Sequence, residues 1–262
     1  MMKLESRIRI VGTIEFNTPF HLGSGEEGAA AADLGVRLDV NGAPVLPGSS
    51  LKGVFRSTAE SLAEHLGMKT CFLDRQQGWC AGSSEELSKR QLERLETADG
   101  PTVDRILAEN VCDVCRLFGS LLARGRLRFQ DAMVESWAGV LEIRDGVGID
   151  RDAGTAVVGV KYNYEVVPAG ATFKFLLDAE NLAPRERALV AVVVREWERG
   201  VRLGGMTSRG MGAAHLKNVD IRQVDLSDRS QRFEYLLHGT MPSLTADQIE
   251  AEIRNGLEVA NA

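Results

Sequence analysis

A ten-residue stretch at positions 47–56, Pro-Gly-Ser-Ser-Leu-Lys-Gly-Val-Phe-Arg, constrains the fold of this chain more than any other. Its Pro-Gly pair predicts a tight turn, and the residues after it have the spacing of a helix with one apolar face. That face is formed by Leu51, Val54, Phe55, Ala59, Leu62 and Leu66. A serine hydroxyl can accept a hydrogen bond from a free backbone N–H of the first turn, so the pattern predicts a helix capped by Ser49 or Ser50.

The start of this predicted helix is also a candidate phosphate-binding site. Free backbone N–H groups and the helix dipole attract an anion to a helix N-terminus. Lys52 and Arg56 lie one helical turn apart, so both cations project from the same side of the helix. An ordinary capped helix with a solvated basic side explains the same residues, and this stretch alone leaves both interpretations open.

The composition is that of a globular chain rather than of a general nucleic-acid-binding or membrane protein. Of its 262 residues, 44% are hydrophobic and 26% are charged, and the formal net charge of −6 argues against indiscriminate binding of polyanions. Any affinity for phosphates must therefore come from local clusters of cations. The first residues lack the apolar run of a signal peptide, and the longest apolar run, residues 188–194, is too short to span a bilayer. We expect a cytoplasmic protein with no membrane partner.

Periodic patterns along the chain predict a mixed α+β domain. Apolar and polar residues alternate over residues 8–16 and 173–177, as in strands with one buried face, and Asn41-Gly42 predicts a hairpin turn. A final strand is predicted over residues 216–224, where the apolar residues are Leu216, Val219, Ile221 and Val224. A second helix is predicted over residues 185–199, just after Pro184. The order strand, hairpin, helix, strands, hairpin, helix, strand fits a ferredoxin-like (RRM-like) domain, with an antiparallel sheet and two helices on one face.

The ferredoxin-like core is expected to span residues 1–225, with an insertion at 71–115 and a polar tail at 226–262 that has one weak helix after Thr245. The insertion includes a charged predicted helix over residues 84–96, which has little apolar surface, and it carries the four cysteines of the chain: Cys71, Cys80, Cys112 and Cys115. Without a secretory signal, such a set favours a metal or free thiols over disulfides. Four thiolates suit a closed tetrahedral zinc site, so we predict a small zinc-binding subdomain, with unrelated free cysteines as the alternative.

Two further clusters suggest contacts with a polyanion. Arg124, Arg126 and Arg128 project from one face of a predicted strand, where either a bound polyanion or a solvated, charge-guarded sheet edge explains them. Between residues 204 and 212 the sequence Gly-Gly-Met-Thr-Ser-Arg-Gly-Met-Gly contains four glycines. Such a loop lets a backbone approach a ligand closely.

Taken in order, five segments of the chain resemble motifs of the RAMP superfamily, whose members are RNA-binding subunits of type III CRISPR effector complexes. Residues 47–56 resemble the family's P-G-S-S-L-K-G-x-x-R signature, and residues 112–120 resemble its C-x-x-C-R-L-F-G-S element. Residues 146–156 and 165–173 are similar to its central hairpin region, and residues 204–212 to its glycine-rich loop. The resemblance runs from about Ile8 to Val224 and is strongest to the repeating backbone subunits of the Csm type.

The resemblance implies a subunit that assembles with copies of itself and with other type III subunits along a guide RNA and cuts the paired target RNA. The guide backbone would lie between the helix start at residues 47–56 and the glycine-rich loop. The residues expected to bind RNA are Ser49, Ser50, Lys52, Arg56, Arg126, Arg151, Gly204, Gly205, Arg209 and Gly210.

The resemblance also nominates a cutting residue. In Csm-type subunits this is an aspartate in the loop before the P-G-S-S motif, and Asp33 holds the matching place here. Glu26 and Glu27 in the same loop are less favoured substitutes, and His21 beside it is a candidate acid. The carboxylate would take the proton of a ribose 2′-hydroxyl or hold a divalent cation such as Mg²⁺.

These expectations describe a metal-dependent endoribonuclease, and two other functions stay open. The first is a non-cleaving RNA-binding scaffold in the same complex. The second is a CRISPR RNA-processing endoribonuclease, which needs a histidine or tyrosine base near the first helix. No histidine or tyrosine is convincingly placed for that role.

Overall fold

The computed structural model describes residues 3–23, 25, 32–71, 80, 93–95, 98–120 and 122–260 of the chain. Within these residues the strands form one seven-stranded sheet and a separate two-stranded hairpin. In chain order the strands are β1 (Ser6–Phe16), β2 (Val45–Leu46), β3 (Leu127–Phe129), β4 (Ala132–Ser136), β5 (Glu142–Ile149), β6 (Ala156–Val166), β7 (Thr172–Glu180), β8 (Val201–Arg202) and β9 (Ala213–Asp225). Strands β5 and β6 form the hairpin.

Six helices have both ends within the described residues. They are α1 (Gly48–Leu62), α2 (Gly100–Asn110), α3 (Asp113–Phe118), α4 (Pro184–Arg199), α5 (Arg229–His238) and α6 (Ala246–Ala260). Single 3₁₀ turns follow α1 at Ala63–Leu66 and lie in the glycine-rich loop at Thr207–Arg209. In the described part of the chain, no helix has the length and apolar character needed to cross a membrane.

The sheet order identifies the architecture. Strands lie in the order β2-β4-β7-β1-β9-β8, with β3 also paired to β7, and every pairing is antiparallel. Along the chain, β1 and α1 precede the β3–β4 segment, and β7 and α4 precede β9. This is the strand–helix–strand–strand–helix–strand order of a ferredoxin-like domain. The predicted α+β class is confirmed.

One face of the sheet is buried against α1 and α4. The ring of Phe55 on α1 lies 5.3 Å from the ring of Phe129 on β3. The ring of Trp197 on α4 lies 5.8 Å from the ring of Phe175 on β7. On the opposite face Arg9 pairs with Asp178 at 2.7 Å, and β1 and β7 place no aromatic side chain there. An RRM uses aromatic side chains on its open sheet face to stack bases, and β1 and β7 do not provide them here.

Beyond β9 the chain forms two helices. Helix α6 agrees with the helix predicted after Thr245, whereas α5 was not expected from the sequence. A Cβ atom at Gly256 would lie 2.3 Å from the Cβ of Ala188, so α6 packs closely on α4. Arg7 of β1 donates a 2.6 Å hydrogen bond to the hydroxyl of Tyr235 on α5. This region is therefore joined to the core rather than being only a polar tail.

Local predictions elsewhere have mixed outcomes. The turn at Asn41-Gly42 is confirmed, because the Asp39 N–H donates to the Ala43 carbonyl at 2.8 Å and Gly42 has a φ of +76°. The strand expected before it is reduced to isolated bridges, with Val40 fully exposed. The helix predicted over residues 84–96 lies outside the described residues except at 93–95.

Candidate nucleic-acid interface

The helix of the 47–56 signature begins at Gly48, with Pro47 as its N-cap residue and no side-chain capping bond. The serine cap predicted from the sequence is therefore wrong. The Gly48 N–H donates instead to the Asp131 carboxylate at 2.7 Å, and a Cβ at Gly48 would lie 2.7 Å from the Phe129 carbonyl oxygen. A carboxylate from the β3–β4 connection thus occupies part of the predicted phosphate seat, where it complements the helix dipole.

The remaining polar residues at the start of α1 are accessible. Ser49 is exposed, and Ser50 and Lys52 are half-buried. None of these three side chains makes a hydrogen bond or ion pair with the residues that the structure describes. They keep their place among the candidates for contact with RNA.

Arg56 has a different environment from Lys52. Its Nε donates to Glu60 at 2.8 Å, and its Nη2 donates to the sulfur of Cys115 at 3.0 Å. Burial opposes its charge, but the hydrogen bonds to Glu60 and Cys115 hold the pKa of Arg56 above its ordinary value. The guanidinium is therefore committed to protein groups on two sides.

Of the three arginines predicted to share a strand face, Arg126 and Arg128 are paired, whereas Arg124 lies exposed before the start of β3. Arg126 bonds the carboxylate of Glu186 and donates to the Asn181 carbonyl at 3.0 Å. Arg128 binds both carboxylate oxygens of Glu180. These pairs favour the interpretation as a charge-balanced sheet, and we do not retain Arg126 in the proposed RNA surface. Arg151 lies exposed in the turn between β5 and β6.

The glycine-rich loop at residues 204–212 packs tightly at both ends. The Gly205 N–H donates to the His21 carbonyl at 2.7 Å, and a Cβ at Gly204 would lie 2.4 Å from the same oxygen. At the other end Gly212 has a φ of +72°, and a Cβ there would lie 2.1 Å from the Leu203 carbonyl oxygen. Between these ends Arg209 and Gly210 are exposed. The glycines hold the loop in place, and its tip is open to a ligand.

Gly212→Ala is expected to destabilise the protein by about 3 kcal/mol or more, because the methyl group meets a backbone oxygen in a left-handed conformation. Gly210→Ala is the matched control, since Gly210 also has a positive φ, +84°, but nothing lies within 4 Å of its Cβ position. It is expected to cost only the roughly 1–2 kcal/mol of the left-handed backbone. Urea unfolding of both variants measures the difference, and equal losses would contradict the close packing at Gly212.

The predicted cutting residue Asp33 is exposed and tied to the β5–β6 hairpin. The Asp33 N–H donates to the side-chain oxygen of Asn163 at 2.7 Å. In return, the Asn163 N–H donates to Asp33 Oδ2 at 2.7 Å. This pair fixes the carboxylate through one oxygen, and Oδ1 makes no hydrogen bond with the described residues.

Asp33 and Arg209 line the same open groove of about 550 Å³, together with Leu34, Tyr162, Met206 and Ser208. Within the groove Arg209 donates a 2.6 Å hydrogen bond to the Tyr162 hydroxyl. The structure therefore brings the glycine-rich loop to the predicted cutting residue. Sequence reasoning missed Tyr162 and Asn163 as site residues, because only their contacts with residues far along the chain distinguish them.

The other catalytic candidates, in and beside the Asp33 loop, receive less support from the structure. His21 is buried, and its Nδ1 lies 2.7 Å from the Glu165 carbonyl oxygen, so its ring is held within the protein. This environment does not suit a general acid or base for RNA. Glu26 and Glu27 lie outside the described residues.

The four cysteines form one cluster. Their sulfur atoms all lie within 4.8 Å of one another, and Cys71, Cys112 and Cys115 are buried. The cysteines are not joined by disulfides, and the sulfurs of Cys71 and Cys115 are 3.6 Å apart. A tetrahedral Zn²⁺ with bonds of about 2.3 Å needs sulfurs about 3.8 Å apart, so this set fits the ion.

The thiols of the cluster differ in how readily they lose a proton. Burial raises the pKa of Cys80 to about 12, whereas hydrogen bonding from Cys115 lowers the pKa of Cys112 to about 5. The hydrogen bond with Cys112 and burial together raise the pKa of Cys115. Without a metal the four sulfurs cannot all be thiolates at neutral pH, whereas a bound divalent ion removes that obstacle.

The ferredoxin-like fold defines the class of protein: residues 13–215 match the RAMP superfamily, and the chain belongs to it. A particular relative is the CRISPR system Cms endoribonuclease Csm3 of Methanocaldococcus jannaschii. It is 25% identical over 238 residues, which cover 84% of this chain and 82% of the relative.

Proposed function

We propose that this chain is a guide-RNA-binding backbone subunit of a type III CRISPR complex that cuts target RNA paired with the guide. Family membership and the likeness to Csm3 support the place in such a complex. The single observation that carries the cutting activity is the groove shared by Asp33 and Arg209. A free carboxylate oxygen and an exposed cation in one open groove suit proton transfer beside a phosphate.

In the proposed reaction the Asp33 carboxylate accepts the proton of a ribose 2′-hydroxyl, and the 2′-oxygen attacks the adjacent phosphorus. The bond from phosphorus to the 2′-oxygen forms as the bond to the 5′-oxygen breaks. The products are a 2′,3′-cyclic phosphate and a 5′-hydroxyl, which takes its proton from solvent. Asn163 holds Asp33 in place, and the Arg209 guanidinium stabilises the charge that develops on the phosphate oxygens.

A divalent cation such as Mg²⁺ is expected to assist. When bound, it would lower the pKa of the attacking hydroxyl. Asp33 offers one hard oxygen ligand, so RNA phosphate oxygens and water must complete the coordination. Cleavage is therefore expected to depend on added divalent cation.

We also propose a structural Zn²⁺ held by Cys71, Cys80, Cys112 and Cys115. The proximity of the four sulfurs supports this ligand set. The bound ion would connect two segments of the chain. One contains Cys71 and Cys80, between α1 and α2, and the other contains Cys112 and Cys115 at α3. In this position the zinc has a structural role and takes no part in the cleavage step.

The proposed RNA path runs from the start of α1 to the tip of the glycine-rich loop. Its contacts come from Ser49, Ser50, Lys52, Arg151, Gly204, Gly205, Arg209 and Gly210. Exposed apolar side chains on the hairpin and on α5 leave surface for other subunits and further copies of the chain. They include Ile143, Val147, Ile149, Phe233, Leu236 and Leu237.

Lys52→Ala combined with Arg209→Ala is expected to weaken binding of all single-stranded RNA sequences alike. Two lost phosphate contacts should reduce the slope of log affinity against log salt by about 1–2 units. Fluorescence titrations at several salt concentrations measure that slope. Lys217→Ala is the control, because Lys217 already pairs with Glu15 at 2.8 Å on the sheet face. An unchanged slope in the double variant would contradict the proposed RNA path.

Activity assays distinguish the proposed RNA-cutting subunit from a non-cleaving scaffold and from an RNA-processing endoribonuclease. The assembled complex, given target RNA complementary to its guide, should release fragments that end in a 2′,3′-cyclic phosphate. Binding of the target without cutting would favour the scaffold function. Processing of repeat RNA by the isolated chain would favour the third function, which lacks support from the buried His21.

A further inference from the structure

Arg56 links the RNA-signature helix to the cysteine cluster. Its Nη2 lies 3.0 Å from the sulfur of Cys115, and its Nε is fixed by Glu60 at 2.8 Å. Glu60 lies one helical turn further along α1, so both charged residues are presented from the same side of the helix. The guanidinium is thus held between a carboxylate and a sulfur, and this geometry does not leave it free for a phosphate.

With zinc bound, the cysteine cluster would need a positively charged side chain beside its sulfurs. Four thiolates around one Zn²⁺ carry a net charge of −2, and three of the four cysteines are buried. Buried charge is costly unless hydrogen bonds and counter-charges compensate it. Backbone N–H groups supply part of this, since the Cys112 N–H donates to Cys80 and the Cys115 N–H donates to Cys112, each at 3.4 Å. Among the described residues, Arg56 provides the guanidinium that directly contacts a sulfur of the cluster.

We propose that Arg56 is an outer-shell residue of the zinc site, which stabilises the thiolates through Cys115, rather than an RNA ligand. The inference rests on the proposed zinc site and assigns this residue of the α1 signature to the metal. It makes α1 a shared element, whose first turn faces RNA and whose next turn contacts the metal cluster. Outer-shell hydrogen bonds hold metal ligands in place and tune their affinity for the ion.

Arg56→Ala should lower zinc affinity by roughly 10–100-fold, the usual effect of losing an outer-shell partner. The measurement is competition of the purified full chain with a chromogenic zinc chelator. Arg56→Lys should lose less affinity than Arg56→Ala, because it keeps the charge but cannot contact Glu60 and Cys115 at once. Arg195→Ala is the matched control and should bind zinc like the wild-type chain, because Arg195 also pairs with a glutamate of its own helix, Glu198 at 3.0 Å, but lies on α4.

The bound state offers a second readout. Co²⁺ in place of Zn²⁺ reports on the thiolates through its absorption bands, and these bands should shift in Arg56→Ala and remain unchanged in Arg195→Ala. A thermal melt of each zinc-loaded variant identifies any that fail to fold, and Arg56→Lys then carries the test.

The possible failures are distinguishable. Wild-type zinc affinity and cobalt bands in Arg56→Ala, combined with a reduced salt dependence of RNA binding, would overturn the inference and return Arg56 to the RNA surface. Wild-type behaviour in both assays would overturn it as well. A wild-type chain that binds no zinc would remove the zinc proposal itself, while the RNA-cutting proposal at Asp33 would still stand.

Discussion

Asp33→Ala is expected to lower the rate of target RNA cleavage by about 10²–10⁴-fold, because one acid–base group typically contributes that much. Guide binding and assembly should be unchanged, since Asp33 is exposed and its side chain contributes no packing to the core. The measurement is single-turnover cleavage of end-labelled target RNA by the assembled complex. Stability should change by no more than about 1 kcal/mol, as for most surface positions.

Two further variants make this test specific to the carboxylate. Asp33→Asn keeps an oxygen that can accept the hydrogen bond from the Asn163 N–H but cannot take a proton, so it should be as slow as Asp33→Ala. Asp247→Ala removes an exposed acid on α6 and should cut like the wild-type complex. If Asp33→Ala cuts normally while Glu26→Ala or Glu27→Ala does not, the role belongs to another residue of that loop.

The double variant Cys112→Ser, Cys115→Ser is expected to reduce bound zinc from about one ion per chain to near zero. Structural zinc contributes directly to folding, so α2 and α3 should lose protection against amide hydrogen exchange. Strands β1, β7 and β9 should stay protected, because they form the centre of the sheet. Metal analysis of chelator-washed protein and hydrogen exchange with mass spectrometry measure the two effects.

A metal-specific cause can be checked by reversal. Restoring Zn²⁺ to the wild-type chain after chelation should return the lost protection, whereas Mg²⁺ should not, because thiolates are poor ligands for it. Retention of zinc by the double variant would contradict the assignment of these cysteines. A wild-type chain without zinc would contradict it more generally.

Patterns within single elements predicted much of the fold. Alternation over residues 8–16 matches β1, and the apolar stripe after Pro184 matches α4. Asn41-Gly42 forms the expected turn because its geometry depends on neighbouring residues alone. Each of these signals is local, which is why a single sequence reveals it.

The features that the sequence did not predict are contacts between residues that lie far apart in the chain. Asp131 replaces the predicted serine cap of α1 from 83 residues away. The basic strand around β3 is balanced by Glu180 and Glu186, which the sequence places in other elements. Asn163 reaches Asp33 across 130 residues. The cysteine set is the exception, because the short C-x2-C spacing and the residue type together were enough to anticipate the cluster.

The RNA that copurifies with the chain, when it is expressed with its partner subunits, shows whether this protein binds a CRISPR guide. We expect short RNA of narrow length that carries CRISPR spacer sequence, bound through its backbone and released at high salt. Sequencing and sizing of this RNA from wild-type complex give the answer. A complex that carries no RNA, or a broad mixture of cellular transcripts without spacer sequence, would contradict it.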